Sequence, residues 1–144
     1  MQISFNITFK TGLSMETVTP FEQIEPLLKR MQAFCDAKYD AGDIEAVVRR
    51  SETLEIIMSQ SGKLCADARY HRDKRTNDAI METLKESLLQ GGYSPSLINK
   101  KVDALCMDFN YIEKWADRVN RTATHQLDFS RSTISKYKSE INLR

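Results

Sequence analysis

Residues 44 to 90 contain no proline and a single glycine, Gly62, and residues 96 to 141 contain neither. These two stretches constrain the fold more than any other feature. A chain that runs so far without a turn residue is helical, and the punctuation at its ends agrees. Gly42 and Asp43 stand before the first stretch as helix stop and N-cap. "GGYSPS", residues 91 to 96, separates the two, with Ser94 as N-cap and Pro95 at the first helical position. The predicted helices are 44–90 and 95–141, each on the order of 65 to 70 Å long at about 1.5 Å per residue. A turn at 91–94 makes them antiparallel neighbours.

Both stretches carry a seam for that contact. In the second, Ile98, Val102, Leu105, Phe109, Ile112, Ala116, Val119 and Ala123 recur at spacings of four and three, and Gln126, Ser130, Thr133 and Tyr137 continue the pattern in polar form. In the first, Val47, Ser51, Leu54, Met58, Ser61, Cys65, Ala68, Arg72, Arg75 and Ala79 hold the same spacing, with Ile57 and Leu64 beside them. Helices this long exceed what one globular domain normally uses, so either one breaks near Gly62 or the hairpin shares its exposed seams with other copies, and self-association is the favoured expectation.

Ahead of the hairpin, "TPFE" at 19–22 has the form of a capping box, Thr19 as N-cap and Glu22 three residues on, while Pro26 is expected to interrupt the segment it opens. A short turn and then a helix over 26–41 are predicted. Residues 2 to 10 alternate without fault: Ile3, Phe5, Ile7 and Phe9 on one side, polar residues on the other. That is the period of a half-buried strand, with "LSMETV" as a weaker return. Such a hairpin needs a neighbour, so the strand is a candidate edge for pairing with a partner or a second copy.

A chain of 144 residues has the size of one domain, and 41% hydrophobic with 28% charged residues marks it as globular. The net charge of +1 divides unevenly: 6 Lys/Arg against 9 Asp/Glu in residues 1–62, 15 against 11 in 63–144. That asymmetry is too mild for a dedicated nucleic-acid-binding domain. Cys35, Cys65 and Cys106 are odd in number, widely spaced and backed by two histidines, which points to buried free thiols in a reducing, cytoplasmic compartment. No apolar run approaches a membrane span, and no cofactor or metal is expected.

The densest polar stretch is "ADARYHRDKR", residues 66–75. On a helix it splits. Arg72 and Arg75 turn toward the seam, opposite Phe109 and Ile112, where Asp108 and Glu113 are positioned to take their heads. Arg69, Tyr70 and Lys74 remain for an outside ligand, and together with Arg118 and Arg121 they form the candidate set for a nucleic acid or nucleotide. Asp67 and Asp73, inside the same stretch, favour the competing reading of an ion-paired waist.

Two resemblances attach to the second half. Arg118 and His125, in "RVNRTATH", resemble the arginine–histidine motif of the HEPN ribonucleases, which implies His125 as general acid/base and Arg118 as phosphate clamp; Val119 stands where that family places a polar residue. "LCADARYHRDKR" and "WADRVNRTATHQLDFSRSTISKYKSE" together look like small helix-rich accessory proteins of bacteriophages and prophages. The likeness covers about the last 85 residues and implies a protein that works in the bacterial cytoplasm by binding.

The expectation is therefore a single domain over 1–144, mainly α: a long antiparallel, coiled-coil-like helical hairpin (44–90 and 95–141), a shorter helix within 19–41, and an N-terminal β-strand or hairpin over 1–18. The expected function is non-enzymatic binding of a host or phage protein, with homo-oligomerisation. Nucleic-acid or nucleotide binding is the alternative, and a HEPN-like ribonuclease the second alternative.

Overall fold

The computed structural model describes residues 17–144, and among these the chain is helical throughout apart from its short connections. Four helices succeed one another: α1, Phe21–Asp36; α2, Ile44–Leu89; α3, Pro95–Leu105; and α4, Met107–Asn142. The expected strand at Ile3, Phe5, Ile7 and Phe9 lies outside the described residues.

α2 is a single helix of 46 residues. Asp43 caps it, its carboxylate accepting from the Glu45 and Ala46 amides at 3.1 and 3.3 Å. Gly62 does not break it, and a Cβ there would sit 3.6 Å from Asn120 Nδ2, an ordinary contact. The turn after it is a Schellman motif. Gly91 and Gly92 take φ of 82° and 102°, and the Gly92 amide donates back to the Ser87 carbonyl at 2.8 Å. Ser94 then caps α3, accepting from the Leu97 amide at 3.2 Å, with Pro95 at the first position.

Two expectations are corrected. The helix predicted over 26–41 runs instead from Phe21 to Asp36, straight through Pro26. Pro26 is exposed and sits in the second turn, where the one backbone bond it removes leaves the Glu22 carbonyl open to water. The capping box does not form, because the Thr19 backbone is drawn to α2. The helix predicted over 95–141 is two helices that meet at Cys106, whose φ of −100° and ψ of 3° leave the helical basin. Its amide bonds to both Val102 and Asp103 carbonyls, and the Arg75 guanidinium inserts against the Leu105 carbonyl at 3.4 Å.

α2 and α4 pack antiparallel, as Arg72–Glu113 at 2.9 Å, Asn120 donating to the Met58 carbonyl at 2.8 Å, and Arg131–Glu55 at 3.3 Å show in succession. α1 lies in the groove beside them. Its start is fixed by Phe21, stacked on Phe109 with ring centroids 4.1 Å apart, and its end by the Cys35 carbonyl, which accepts from Arg50 at 3.0 Å and Gln126 at 2.9 Å. α1 thus runs antiparallel to α2 and parallel to α4.

This three-helix body holds the main core: Ile24, Leu28 and Met31 from α1, Leu54, Ile57, Leu64 and Ala68 from α2, Ile112, Ala116, Val119, Ala123 and Leu127 from α4. Each fully buried Leu or Ile contributes roughly 1.5–3 kcal/mol. Beyond the body, the tip of the hairpin has two layers, α2 against α3, with a small cluster of Ala79, Val102 and Cys106 flanked by Ile98.

Candidate functional site

The waist of α2 is the first place where chemistry-bearing side chains gather. The Asp67 carboxylate, almost fully buried, accepts from the Thr19 amide at 3.1 Å and from Lys63 Nζ. Lys63 also donates to the Thr17 carbonyl at 2.7 Å, and His71 Nε2 meets the Thr19 carbonyl at 2.7 Å. Lys63, Asp67 and His71, spaced by four on one helix side, therefore clamp residues 17–19 onto α2. The three arginines of the waist are occupied as well. Arg72 pairs with Glu113 at 2.9 Å and Asp73 at 2.7 Å, Arg69 with Glu113 at 3.5 Å, and Arg75 with Glu82 at 3.1 Å. Arg75 thus reaches Glu82 rather than Asp108, and Phe109 stacks on Phe21 rather than under the arginine stems.

The five residues expected to meet a nucleic acid do not converge. At about 100° per residue, Tyr70 and Lys74 lie on the side of α2 opposite Ala68 and Ala79, facing away from α4. Arg118 and Arg121 lie on the side of α4 opposite Ala116 and Ala123, facing away from α2. Arg121 is held by Asp117 at 3.0 Å. Arg118 and His125 stand two turns apart on that outer side, so the ribonuclease resemblance requires a second copy to complete a centre.

That outer side of α4 is itself patterned. Tyr111, Lys114, Arg118, His125, Phe129, Ser132 and Lys136 succeed one another at helical spacing on the solvent side, and Lys114, Arg118 and Lys136 make no ion pair among the described residues. Between Tyr111 and Lys136 no acid interrupts the row, though Glu140 follows it one turn on; Asp117 and Asp128 stand at its edge, tied to Arg121 and Arg131.

Two of the three thiols are poor nucleophiles. Burial, reinforced by Asp117 and Glu113, pushes Cys65 up to about 11, and burial raises Cys35 against the opposing pull of Arg50. Among the described residues no group of three or more His, Cys, Asp or Glu side chains could hold a metal ion, and no helix is long and apolar enough to cross a membrane. A depression of about 320 Å³ near the start of α2 is lined by Ile44, Glu45, Val48 and Arg49, four residues of one stretch of helix, and is a surface dimple rather than an enclosed site.

The hairpin tip departs furthest from ordinary packing. Facing α3, α2 presents Ala79, Thr83 and Ser87, buried at 0, 1 and 8% exposure, and Thr83 Oγ1 finds no hydrogen-bond partner among the described residues. Facing solvent, it presents Met81, Leu84 and Leu88 at 56, 42 and 84%. The helix is inside out here, with hydroxyls inward and large apolar side chains outward. The stripe carries no apolar period toward the partner helix, because its residues lie off the buried seam.

No protein-family model, curated protein or solved structure matches this chain.

Proposed function

We propose that this chain is a non-enzymatic binding protein that takes up a helix on the outer stripe of the α2 tip, in keeping with the phage-type accessory class its second half resembles. One observation carries the reading: Met81, Leu84 and Leu88 are turned to solvent while Thr83 and Ser87 fill the inward positions. Orientations of this kind leave hydration cost unrelieved unless another surface covers them. An amphipathic helix laid along α2 would do so through anchors spaced at three and four residues. The three-helix body then acts as the frame that holds the tip away from it.

Photo-cross-linking in cells tests this, with the reactive side chain placed at 84, at 88, and at 49 as a control. Protein adducts from 84 and 88 but not from 49 are the expected result; no adducts from either tip position would sink the reading.

A second reading is favoured by the acid-free row on α4. Lys114, Arg118 and Lys136 would track a phosphate backbone while Tyr111 and Phe129, 63 and 57% exposed, offer faces for unstacked bases. It expects fluorescence anisotropy to detect binding of a single-stranded oligonucleotide that weakens steeply with salt and is lost in Arg118→Glu. Absence of binding at low salt ends it.

A further inference from the structure

Resting on the docking reading above, we propose that the occupant of the tip stripe is a second copy of this chain, its α2 packed antiparallel on the first. Asn77, Met81, Leu84 and Leu88 repeat at spacings of four, three and four on the outward side of α2, the seam of a short two-helix coil. A twofold axis between residues 82 and 83 sets Met81 against Leu84 of the second copy, Leu84 against its Met81, and Asn77 against its Leu88. Each copy covers what the other exposes.

The charges choose the orientation. Asp78 and Lys85 are both exposed, stand seven residues apart on one flank of the stripe, and make no ion pair among the described residues. In an antiparallel pair the same flank of each helix faces its counterpart, so Asp78 meets Lys85 of the second copy and Lys85 meets its Asp78. A parallel pairing sets Asp78 against Asp73, whose charge Arg72 already holds, and leaves Lys85 beside Ile80, so neither gains an opposite charge. Lys74, the next seam position, falls opposite the Gly91 turn, where it meets no cation.

The interface is short, about four seam layers, which places it among weak, concentration-dependent associations rather than obligate dimers. It leaves the two three-helix bodies at opposite ends and keeps the two outer rows of α4 apart, so it does not bring paired copies of Arg118 and His125 together.

Sedimentation velocity on the full chain, from low to high micromolar concentration, tests the proposal with Asp78→Lys, Lys85→Asp and the double exchange. Both positions are exposed, so helicity should be unchanged. The expected result is a reversible dimer in the unaltered chain, weakened about tenfold by each single reversal, since two attractions become two repulsions, and restored to within about twofold by the double exchange. A double exchange as weak as the singles overturns the antiparallel register. A chain monomeric at every concentration overturns the second-copy proposal; cross-links from 84 and 88 to a different protein would then leave the docking reading standing, and their absence would remove that too.

Discussion

Replacing Arg50 with alanine tests how α1 is joined to the hairpin. The side chain is 7% exposed, yet among the described residues it pairs with no carboxylate. Its guanidinium donates to the Cys35 carbonyl at 3.0 Å and to Gln126 Oε1 at 2.8 Å, and lies over the rings of Phe34 and Tyr39 at 4.8 and 4.3 Å. Cys35 is in the last turn of α1, which carries no basic residue of its own, so Arg50 supplies from α2 the cation that the negative end of α1 favours. Hydrogen bonds from a charged donor contribute about 1.5–3 kcal/mol each and a cation–π contact about 0.5–2. Desolvation opposes them, and Arg50 Nε remains unpaired. The balance is an expected loss of about 3 kcal/mol for Arg50→Ala. With a urea dependence of about 1–3 kcal/mol/M, the unfolding midpoint falls by about 1.5 M. Arg50→Lys should recover no more than about half, because one ammonium cannot serve both acceptors and both rings. Arg49→Ala, which removes an exposed pair 4.0 Å long with Glu45, should cost under about 0.5 kcal/mol. A loss below about 1 kcal/mol in Arg50→Ala, or full recovery by lysine, refutes the account.

Asp67→Ala strips the Thr19 amide of its acceptor. Lys63 is half exposed, so its share is discounted, and about 1.5 kcal/mol is expected, read by urea unfolding together with faster hydrogen exchange at the Thr19 amide. Cys65 should resist alkylation at pH 8 and react only as the pH nears its raised value of about 11. Because that value is above the unfolded one, its contribution to stability is full below about pH 8.5 and is lost as the pH climbs toward 11, which thermal melts across that window would register. Gly91→Ala, at φ 82°, should cost about 1–2 kcal/mol in thermal unfolding, since a Cβ is disfavoured there whatever the free space.

The hairpin was legible because its signals are local: Asp43, Ser94, Pro95 and the two glycines cap and turn as their types require, and all appear in the chain in order. The seam of α4 was legible from Ile112 to Ala123 and again at Ser130, while Leu127 takes the buried place expected of Gln126 and Leu105, expected on the seam, is exposed. A strict heptad fits a supercoil, whereas a straight helix of 3.6 residues per turn rotates away from it. The break at Cys106 was hidden, since Leu105, Cys106 and Met107 carry no breaker; the side chain that meets the carbonyl beside it, Arg75, lies thirty residues away in the chain. The missed capping box has the same origin, Thr19 finding in Asp67 and His71 partners that its own neighbours could not match.

The waist and the tip show why side-chain type alone did not locate the candidate site. "ADARYHRDKR" gathers the charge a ligand site would want, but Arg69 and Arg72 are engaged by Glu113 and Arg75 by Glu82, so the arginines of the most conspicuous motif are satisfied from within the chain. The tip stripe, Met81, Leu84 and Leu88, lies among ordinary helix residues and gains meaning only when Thr83 and Ser87 prove to be the buried ones. Placing leucines inward at 83 and 87 would have closed the two-layer tip on itself. The chain instead keeps small and hydroxyl-bearing residues there, which lets α3 approach closely and leaves the apolar side free for another helix. A site of this kind is defined by which face of α2 is already taken, a relation between helices that no single stretch of sequence contains.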